Sequence, residues 1–325
     1  MKRILVTGGG GFIGSNLTRK LQETHPEARI LVVDDFRTGT FRNLGAEGAG
    51  GWSFRGEVVA RSLGELDVYD LINEFEPEIV FHQASITDTT ITDEARMIAE
   101  NVEPFEAILA AAVQRGLRLV WASSAATYGQ RAMGATAARR PFRLEDAGQP
   151  SNAYGFSKWL MENAHRRIIA EHPEAHIVGL RYFNVFGPGE QNKAHMASMI
   201  LKLAQQMMAG KAPRIFHDGQ QARDHIYVKD VVDATIAAAA DGARSGIYNV
   251  GTGNATSFNR LVEILNEALG TRFAPEYFEN PYPFYQDYTC ADISETLAGL
   301  GWSPKLSTEE GIVDYGAALS AKDKG

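Results

Sequence analysis

The sequence predicts an α/β fold in which helices cover both faces of a parallel sheet and a smaller C-terminal portion follows. Strand and helix patterns alternate along most of the 325 residues, which is typical of a parallel sheet joined by crossover helices. A glycine-rich turn follows the first strand, and an acidic residue follows the second. Strands are predicted at residues 4–7, 30–33, 53–57, 79–82, 119–122 and 177–180.

The turn after the first strand carries the spacing G-x-x-G-x-x-G. Residues 2–7 read Lys-Arg-Ile-Leu-Val-Thr, and Gly8, Gly11 and Gly14 lead into a helix predicted over residues 12–23. Glycines so placed allow a tight turn, a close approach of the backbone to a pyrophosphate and close packing of helix on strand. The amides at the start of the helix then hold the phosphates.

The second strand, residues 30–33, ends in Asp34, at the distance of about 20 residues typical of dinucleotide-binding folds. A glycine-rich linker would leave this acid unexplained, so we predict a nicotinamide dinucleotide site on a doubly wound, Rossmann-type sheet. Asp34 favours NAD, because a carboxylate accepts the ribose hydroxyls and repels a 2′-phosphate. Arg37 and Arg42 favour NADP, since a guanidinium just past the strand can neutralise that phosphate.

Later segments indicate how the chain is organised. Helices predicted at about 92–115 and 152–170 carry apolar side chains on more than one side, so a partner helix is expected to cover part of each in a homo-oligomer. From residue 183 the alternation loosens. We expect residues 1–182 to form the dinucleotide-binding Rossmann domain. Residues 183–325 should form mainly a substrate-binding portion, with some segments returning to the Rossmann domain.

Composition restricts the class of protein. With 44% hydrophobic and 22% charged residues, the chain can bury a large core. A net charge of −8 argues against nucleic-acid binding, which needs a basic surface. A single cysteine suits a reducing compartment, and we find neither a secretory signal nor a run of about 18 apolar residues. We therefore expect a cytoplasmic enzyme with no membrane segment.

Tyr154 and Lys158 are the strongest catalytic candidates. Four residues apart on a predicted helix, they share one face and can act on one proton. A phenol has a pKa of about 10, too high for a base at neutral pH, and a nearby ammonium lowers it. The same spacing also arises by chance, with the Tyr half-buried and the Lys solvated, so the surrounding sequence must decide.

The surrounding sequence favours catalysis. Ser124 follows the strand at residues 119–122, and open α/β sheets bind ligands at the carboxyl ends of their strands. A Ser-rich loop alone would be an ordinary turn, but here the Tyr154 helix follows it. We expect Ser124 and Tyr154 to bond one substrate hydroxyl, with Lys158 reaching the nicotinamide ribose.

In this order the motifs resemble the extended short-chain dehydrogenase/reductase family of sugar-nucleotide epimerases and dehydratases, over nearly the whole chain. Several motifs look like those of the ADP-L-glycero-D-manno-heptose 6-epimerases, at residues 123–129, 181–188, 193–198, 248–253 and 285–289. The resemblance implies that Tyr154 and Lys193 act as the catalytic acid and base. It also implies NADP as cofactor, with NAD possible, and a nucleotide sugar as substrate.

Two bases suit the implied chemistry. A carbon that bears a hydroxyl and no acidic hydrogen cannot be inverted by deprotonation, so the cofactor takes a hydride, leaving a ketone, and returns it to the other face. Tyr154 and Lys193 would each serve one stereoisomer, provided burial or a neighbouring charge lowers the pKa of Lys193 from about 10.4. The alternative is that Lys193 only neutralises a phosphate.

The predicted cofactor-binding residues are Gly8, Gly11, Phe12, Ile13, Gly14, Asp34, Asp35, Arg37, Arg42, Gln83, Ala84, Ser85, Tyr154, Lys158 and Val185. The predicted substrate-binding residues are Ser124, Asn184, His195, Lys202, Phe216, Arg223 and Tyr285. Three of these have simpler interpretations: Asn184 as a turn cap, Arg223 as an ion-pair partner of Asp224 or another acid, and Tyr285 as packing. No metal site is predicted, because the eight histidines show no ligand spacing.

Departures from the family pattern leave alternatives open. Residues 189–195 read Gly-Glu-Gln-Asn-Lys-Ala-His, and Cys290 stands where the family usually has Gln, so the exact sugar is open. Ala125 and Ala126 replace the acidic pair of the dehydratases, which argues against that chemistry. Three hypotheses remain: a heptose 6-epimerase, an NAD-dependent C4 epimerase of a UDP-hexose, and a non-catalytic dinucleotide sensor.

Overall fold

The structure, a computed structural model, describes residues 1–45, 52–129, 139–280 and 286–322, with side chains as far as Leu319. Its strands are β1 (Arg3–Thr7), β2 (Arg29–Val33), β3 (Glu57–Val59), β4 (Ile79–His82), β5 (Arg118–Ser124), β6 (Ile177–Tyr182), β7 (Asn184–Phe186), β8 (Arg214–Phe216), β9 (Ala222–Arg223), β10 (His225–Tyr227), β11 (Gly246–Val250), β12 (Thr256–Ser257) and β13 (Glu276–Phe278). Its α-helices are α1 (Phe12–Thr24), α2 (Phe41–Leu44), α3 (Val68–Phe75), α4 (Glu94–Met97), α5 (Glu103–Arg115), α6 (Ala153–Glu171), α7 (Met199–Met208), α8 (Val228–Ala237), α9 (Phe258–Leu269), α10 (Ser294–Leu300) and α11 (Thr308–Lys322).

Seven strands form one parallel sheet in the order β11-β6-β5-β4-β1-β2-β3. The chain begins in the middle of the sheet at β1, winds outward to β3, and then returns to β4 on the other side of β1. This order confirms the predicted doubly wound, Rossmann-type α/β fold. The winding reverses between β1 and β4, and sheets of this kind bind ligands at the carboxyl ends of the strands there.

Apolar side chains project from the inner strands on both faces of the sheet. Ile4 and Val6 of β1 belong to a core under α1 and α8, whereas Leu5 belongs to a second core under α3, α5 and α6. All three side chains are at most 1% exposed. A strand buried on both faces needs apolar residues at every position, which is why β1 shows no polar alternation.

A third apolar core lies in the C-terminal half of the chain. Helices α7, α9 and α11 pack together there, and α11 also contacts β10. Phe12 at the start of α1 belongs to this core together with Phe186 of β7. The C-terminal half is therefore packed directly against the glycine turn.

The observed elements differ from the prediction in several places. The third strand lies at Glu57–Val59 rather than residues 53–57, because the Gln22 side chain donates to the carbonyl of Ser53 and accepts from the amide of Arg55. The predicted helix at 92–115 contains a π-helical turn, Ile98–Val102, between α4 and α5. Strand β11, which completes the sheet beside β6, was not predicted.

Candidate active site

The glycine turn leads from β1 to α1 and packs against the segment that follows β4. Gly8 has φ of 71° and its amide donates to the carbonyl of Val33 at 2.7 Å. A Cβ at Gly8 would lie 2.6 Å from the amide nitrogen of Ala84, and one at Gly14 would lie 2.1 Å from the carbonyl oxygen of Gly8. Only glycine fits both positions. Helix α1 has neither a side-chain cap nor an acidic residue in its first turn, so its first amides are free to face an anion.

Gln83 and Ala84 line the same crevice from the end of β4. The amide of Gln83 donates to the carbonyl of Thr7 at 3.0 Å, and the Gln83 Oε1 accepts from the Tyr182 hydroxyl at 3.2 Å. The Gln83 Nε2 is buried and has no partner among the described residues. A buried amide donor left unpaired costs free energy. The orphaned donor and the glycine cradle therefore both fit a dinucleotide bound across the crevice.

Carboxylates dominate the end of β2. Asp34 accepts from the amides of Gly10 and Phe36 at 2.8 and 2.7 Å, while burial raises its pKa. Arg37 pairs with Asp35 at 2.9 Å and with Glu100. The guanidinium predicted to neutralise a 2′-phosphate is thus already neutralised by two carboxylates. Arg42 is exposed on α2.

Ser124, Tyr154 and Lys158 meet at the carboxyl end of β5. The chain turns after Ser124, whose hydroxyl accepts from the amide of Ala126 at 3.1 Å. Gly155 lets α6 approach this turn, since a Cβ there would lie 2.7 Å from the carbonyl oxygen of Ala126. The Ser124 side chain is close enough to the Tyr154 hydroxyl to affect its pKa. The Lys158 Nζ lies 6.0 Å from the centre of the Tyr154 ring.

Burial shifts both catalytic candidates toward their neutral forms. Burial raises the pKa of Tyr154, and the interaction with the Ser124 side chain opposes this only in part. Burial lowers the pKa of Lys158 to about 7, although the carboxylate of Glu162 favours the ammonium. The prediction that the ammonium lowers the phenol pKa is therefore wrong for the protein alone. The Lys158 Nζ donates to the carbonyl of Ala122 at 2.8 Å instead of to the phenol.

Asn101 holds α6 against the loop after β4, and the sequence did not indicate it. Its side chain accepts from the amide of Ile86 at 2.8 Å and donates to the carbonyl of Ile86 at 3.1 Å. It also donates to the Ser157 hydroxyl at 3.1 Å, beside Lys158. The π-helical turn at Ile98–Val102 supplies this residue, and such turns are frequent at functional sites.

Lys193 lies in a 3₁₀ segment, Glu190–Met196, after β7. It is half-buried, and burial lowers its pKa while Glu190 opposes that shift. Its Nζ lies 5.6 Å from the centre of the Phe12 ring, at the first turn of α1. The buried Glu190 accepts from the amides of Gly187 and Ser198 at 3.0 and 2.6 Å. Glu190 thus fixes both ends of the loop that carries Lys193.

The predicted substrate residues fall into different surroundings. The exposed His195 pairs with Asp88 at 3.2 Å, and Lys202 donates to the carbonyl of His195 at 2.5 Å. Phe216 packs edge-on against Phe278 with ring centres 4.8 Å apart. Tyr285 lies outside the described residues.

Asn184, Val185 and Arg223 lie where the C-terminal half meets the sheet. The Asn184 Nδ2 donates to the carbonyl of Asp224 and to the Thr289 hydroxyl, at 3.0 and 3.2 Å, so it ties β7 to the segment after residue 286 instead of capping a turn. Val185 packs between two of the apolar cores. The Arg223 Nη1 donates to the carbonyl of Ala222 at 3.3 Å.

If Arg223 is only an ion-pair partner, Asp224 is one acid expected to pair with it. Its carboxylate accepts from the amides of Thr252, Gly253 and Ala291 at 2.7 to 3.0 Å. These amides hold the turn after β11 and the segment near Cys290. The Asp224 carboxylate thus fixes the backbone of these two segments.

The described residues contain neither a candidate metal site nor a membrane-spanning helix. Among residues 1–45, 52–129, 139–280 and 286–322, no group of three or more His, Cys, Asp or Glu side chains could hold a metal ion. Across the same residues, every helix is too short or too polar to cross a membrane.

Comparison with known proteins gives one family and several similar structures. Residues 4–251 match the family model described as the NAD dependent epimerase/dehydratase family. The chain is 36% identical to the ADP-L-glycero-D-manno-heptose-6-epimerase of Helicobacter pylori, with a TM-score of 0.86 over 98% of this chain and 96% of that one.

Two further structures contain sugar nucleotides. The UDP-glucose 4-epimerase of Thermotoga maritima, solved with UDP-glucose, is 28% identical, with a TM-score of 0.86 over 98% of this chain and 99% of that one. The UDP-glucuronic acid 4-epimerase of Bacillus cereus, solved with UDP-glucuronic acid and NAD, is 25% identical, with a TM-score of 0.81 over 98% and 99%.

Proposed function

We infer the function from one premise: the chain belongs to the NAD dependent epimerase/dehydratase family, as a sugar-nucleotide epimerase of the short-chain dehydrogenase/reductase type. We propose that it inverts C6 of an ADP-glycero-manno-heptose by transient oxidation to a ketone. The identity of 36% to the Helicobacter pylori heptose epimerase, over 98% of the chain, supports this substrate above the alternatives.

The observation that carries the proposal is the group Ser124, Tyr154 and Lys158 beside the dinucleotide turn. The Ser124 side chain interacts with the Tyr154 hydroxyl and favours its phenolate, so one substrate hydroxyl can contact both oxygens. The bound oxidised nicotinamide would supply a hydride acceptor and a positive charge beside the phenol. The positive charge of the nicotinamide would favour the Tyr154 phenolate, which would take the hydroxyl proton as the carbon is oxidised, and Ser124 would keep the oxygen in place.

Lys193 would be the second acid/base. Burial lowers its pKa toward the range in which an amine can exchange protons near neutral pH. One observation favours the alternative, a C4 epimerase of a UDP-hexose that manages with Tyr154 alone. The Lys193 Nζ lies over Phe12 at the phosphate-binding turn, where it could simply neutralise a phosphate.

The predicted assignments to substrate stay part of this proposal. Residues 183–325 would mainly bind substrate, and residues 1–182 would bind the dinucleotide. Arg223 would contact the diphosphate through its planar guanidinium, while His195, Lys202 and Phe216 would line the sugar-nucleotide path. Asn184 would act through the position of β7, because its amide is already bonded. We also propose a homo-oligomer.

For the cofactor we propose NAD, with NADP as the alternative that the sequence favours. Asp34 and Asp35 follow β2, and both Asp35 and Glu100 pair with Arg37. A 2′-phosphate would have to displace two carboxylates from that guanidinium. The two ribose hydroxyls of NAD could bind without displacing either carboxylate from that guanidinium.

The test is product stereochemistry. The protein is incubated with ADP-heptose and, separately, with UDP-galactose, and NMR identifies the inverted carbon. We expect inversion at C6 of the heptose, a loss of about 10²–10⁴-fold in kcat for Tyr154→Phe, and a comparable loss for Lys193→Met. Conversion of UDP-galactose by a fully active Lys193→Met protein would establish the C4 alternative. A Tyr154→Phe protein with full activity would reject the catalytic assignment, and cofactor binding without any conversion would indicate a sensor.

A further inference from the structure

A single buried stripe of α6 carries more than the catalytic pair. Tyr154, Lys158 and Glu162 follow at intervals of four residues, which places them on one face of the helix. Lys158 is 1% exposed and Glu162 is 0% exposed. A fully buried carboxylate one turn beyond a catalytic lysine needs a reason, because burying a charge is costly.

Arg181 of β6 binds Glu162 in a bidentate ion pair. The Arg181 Nε and Nη2 donate to the two Glu162 carboxylate oxygens, each at 2.7 Å. The Ser123 hydroxyl donates to Glu162 Oε1 at 2.7 Å, next to Ser124 in β5. Glu162 therefore connects the catalytic helix to the two strands whose ends form the site.

The connection continues across the sheet. Arg181 Nη1 donates to the Tyr128 hydroxyl at 2.9 Å, and this hydroxyl donates to the Asn249 Oδ1 at 2.6 Å. Asn249 Nδ2 donates to the carbonyls of Phe142 and Asp292 at 2.8 and 3.0 Å. A continuous buried hydrogen-bond network thus runs from α6 to two chain segments outside the sheet.

We propose that Glu162, fixed by Arg181, is a positioning residue that favours the charged form of Lys158 and holds α6 in register with Ser124. This inference rests on the proposed function, in which Lys158 contacts the bound cofactor. Glu162 touches neither substrate nor cofactor and acts through Lys158.

The charges around Lys158 support the role of Glu162. Among the described residues, the titratable groups that interact with Lys158 include Tyr154 and Glu162 on α6 and His82 on β4. Burial and the Lys158 charge lower the pKa of His82 to about 3, so this imidazole is neutral. Arg181 on β6 and Arg166 on α6 face Glu162. Glu162 is thus the anion that opposes the burial of the Lys158 ammonium.

The experiment compares Glu162→Gln, the double variant Glu162→Gln/Arg181→Gln, and the control Glu171→Gln, which removes an exposed carboxylate from the same helix. The double variant leaves no unpaired buried guanidinium, so it should fold even if the single variant does not. The dissociation constant of NADH is measured by fluorescence between pH 6 and 9, which needs no sugar. The pH profile of kcat/KM is measured on the same proteins.

In both Glu162 variants we expect the loss of NADH affinity at alkaline pH to begin about one pH unit lower than in the wild type. The alkaline fall in kcat/KM should shift by the same amount. Neither quantity should shift in Glu171→Gln. A double variant whose loss of affinity begins at the wild-type pH would overturn the inference and leave Glu162 a purely structural role. Wild-type binding that is independent of pH over this range would also overturn it. If NADH binding behaves as expected but no sugar is converted, the proposed function fails and the inference about Glu162 stands.

Discussion

At the scale of single residues, Tyr154 and Lys158 owe their chemistry to burial as much as to spacing. The interval of four residues predicted that they share a helix face, and their side chains are indeed neighbours. The direction of the Tyr154 pKa shift was not predictable, because desolvation depends on side chains far away in sequence. For the same reason the sequence did not reveal that Glu100 pairs with Arg37.

Lys158 should give the protein a characteristic dependence of stability on pH. Its folded pKa of about 7 lies below the ordinary value of about 10.4. Between these values the unfolded chain holds a proton that the folded protein has lost, so the free energy of unfolding rises with pH. Measured by chemical denaturation from pH 7 to 10, the free energy of unfolding of the wild type should rise with pH more steeply than that of Lys158→Met. The difference in slope should be up to about 1.4 kcal/mol per pH unit. The exposed control, Lys211→Met, should keep the wild-type slope, and equal slopes in all three proteins would contradict the assignment.

Asp35 and Glu100 should discriminate against NADP. Replacing both with amides, as Asp35→Asn/Glu100→Gln, frees Arg37 for a 2′-phosphate and removes two like charges. We expect NADPH to bind about tenfold more tightly, which corresponds to about 1.4 kcal/mol, with NADH affinity little changed. Fluorescence titration of both dinucleotides measures this. Wild-type protein that already prefers NADPH would restore the cofactor indicated by the sequence.

At the scale of elements, the ends of helices were easier to predict than interruptions within them. The prediction for α6 missed its bounds, Ala153–Glu171, by one residue at each end, since Asn152 is a recognisable cap whose side chain accepts from the amide of Gly155. The π-helical turn at Ile98–Val102 has no local signature. It is stabilised by the contacts of Asn101 with Ile86 and Ser157, which exist only in the folded protein.

The close packing of α1 on the glycine turn predicts an unusual effect of a helix-favouring substitution. Replacing a helical glycine with alanine ordinarily stabilises by about 0.5–1 kcal/mol. At Gly14 the new Cβ would lie 2.1 Å from the carbonyl oxygen of Gly8, which is backbone and cannot move aside. We expect Gly14→Ala to lower both the melting temperature and NADH affinity, the latter by tenfold or more. Gly242→Ala meets no atom within 4 Å and should change neither quantity, whereas a stabilised Gly14→Ala protein would show that the turn is looser than described.

At the scale of the whole molecule, alternation and the glycine motif were enough to predict the sheet, but not its full width. Strand β11 lies in the C-terminal half, where the alternation is irregular, and Gly246 and Asn249 weaken its strand signal. It is fixed by pairing with β6, where Asn249 stands opposite Arg181. The contact of Lys193 with Phe12 also depends on the packing of distant segments.

The outer face of α6 should form the contact between subunits. Phe156 is 45% exposed there, although the opposite face of the same helix is buried with Lys158 and Glu162. An exposed aromatic side chain is suited to an interface core. Analytical ultracentrifugation should show an oligomer for the wild type and a single chain for Phe156→Glu. Wild-type protein that sediments as one chain would rule out the homo-oligomer.

The most direct test of a redox-type epimerase is conversion of ADP-glycero-manno-heptose in D₂O, with NMR of the product. The hydrogen at the inverted carbon would be carried by the cofactor between the two faces and never exchange with solvent. We predict inversion at C6 with no deuterium at that carbon. Deuterium at C6, or no inversion by protein that binds the dinucleotide, would contradict the role given to Ser124, Tyr154 and Lys158.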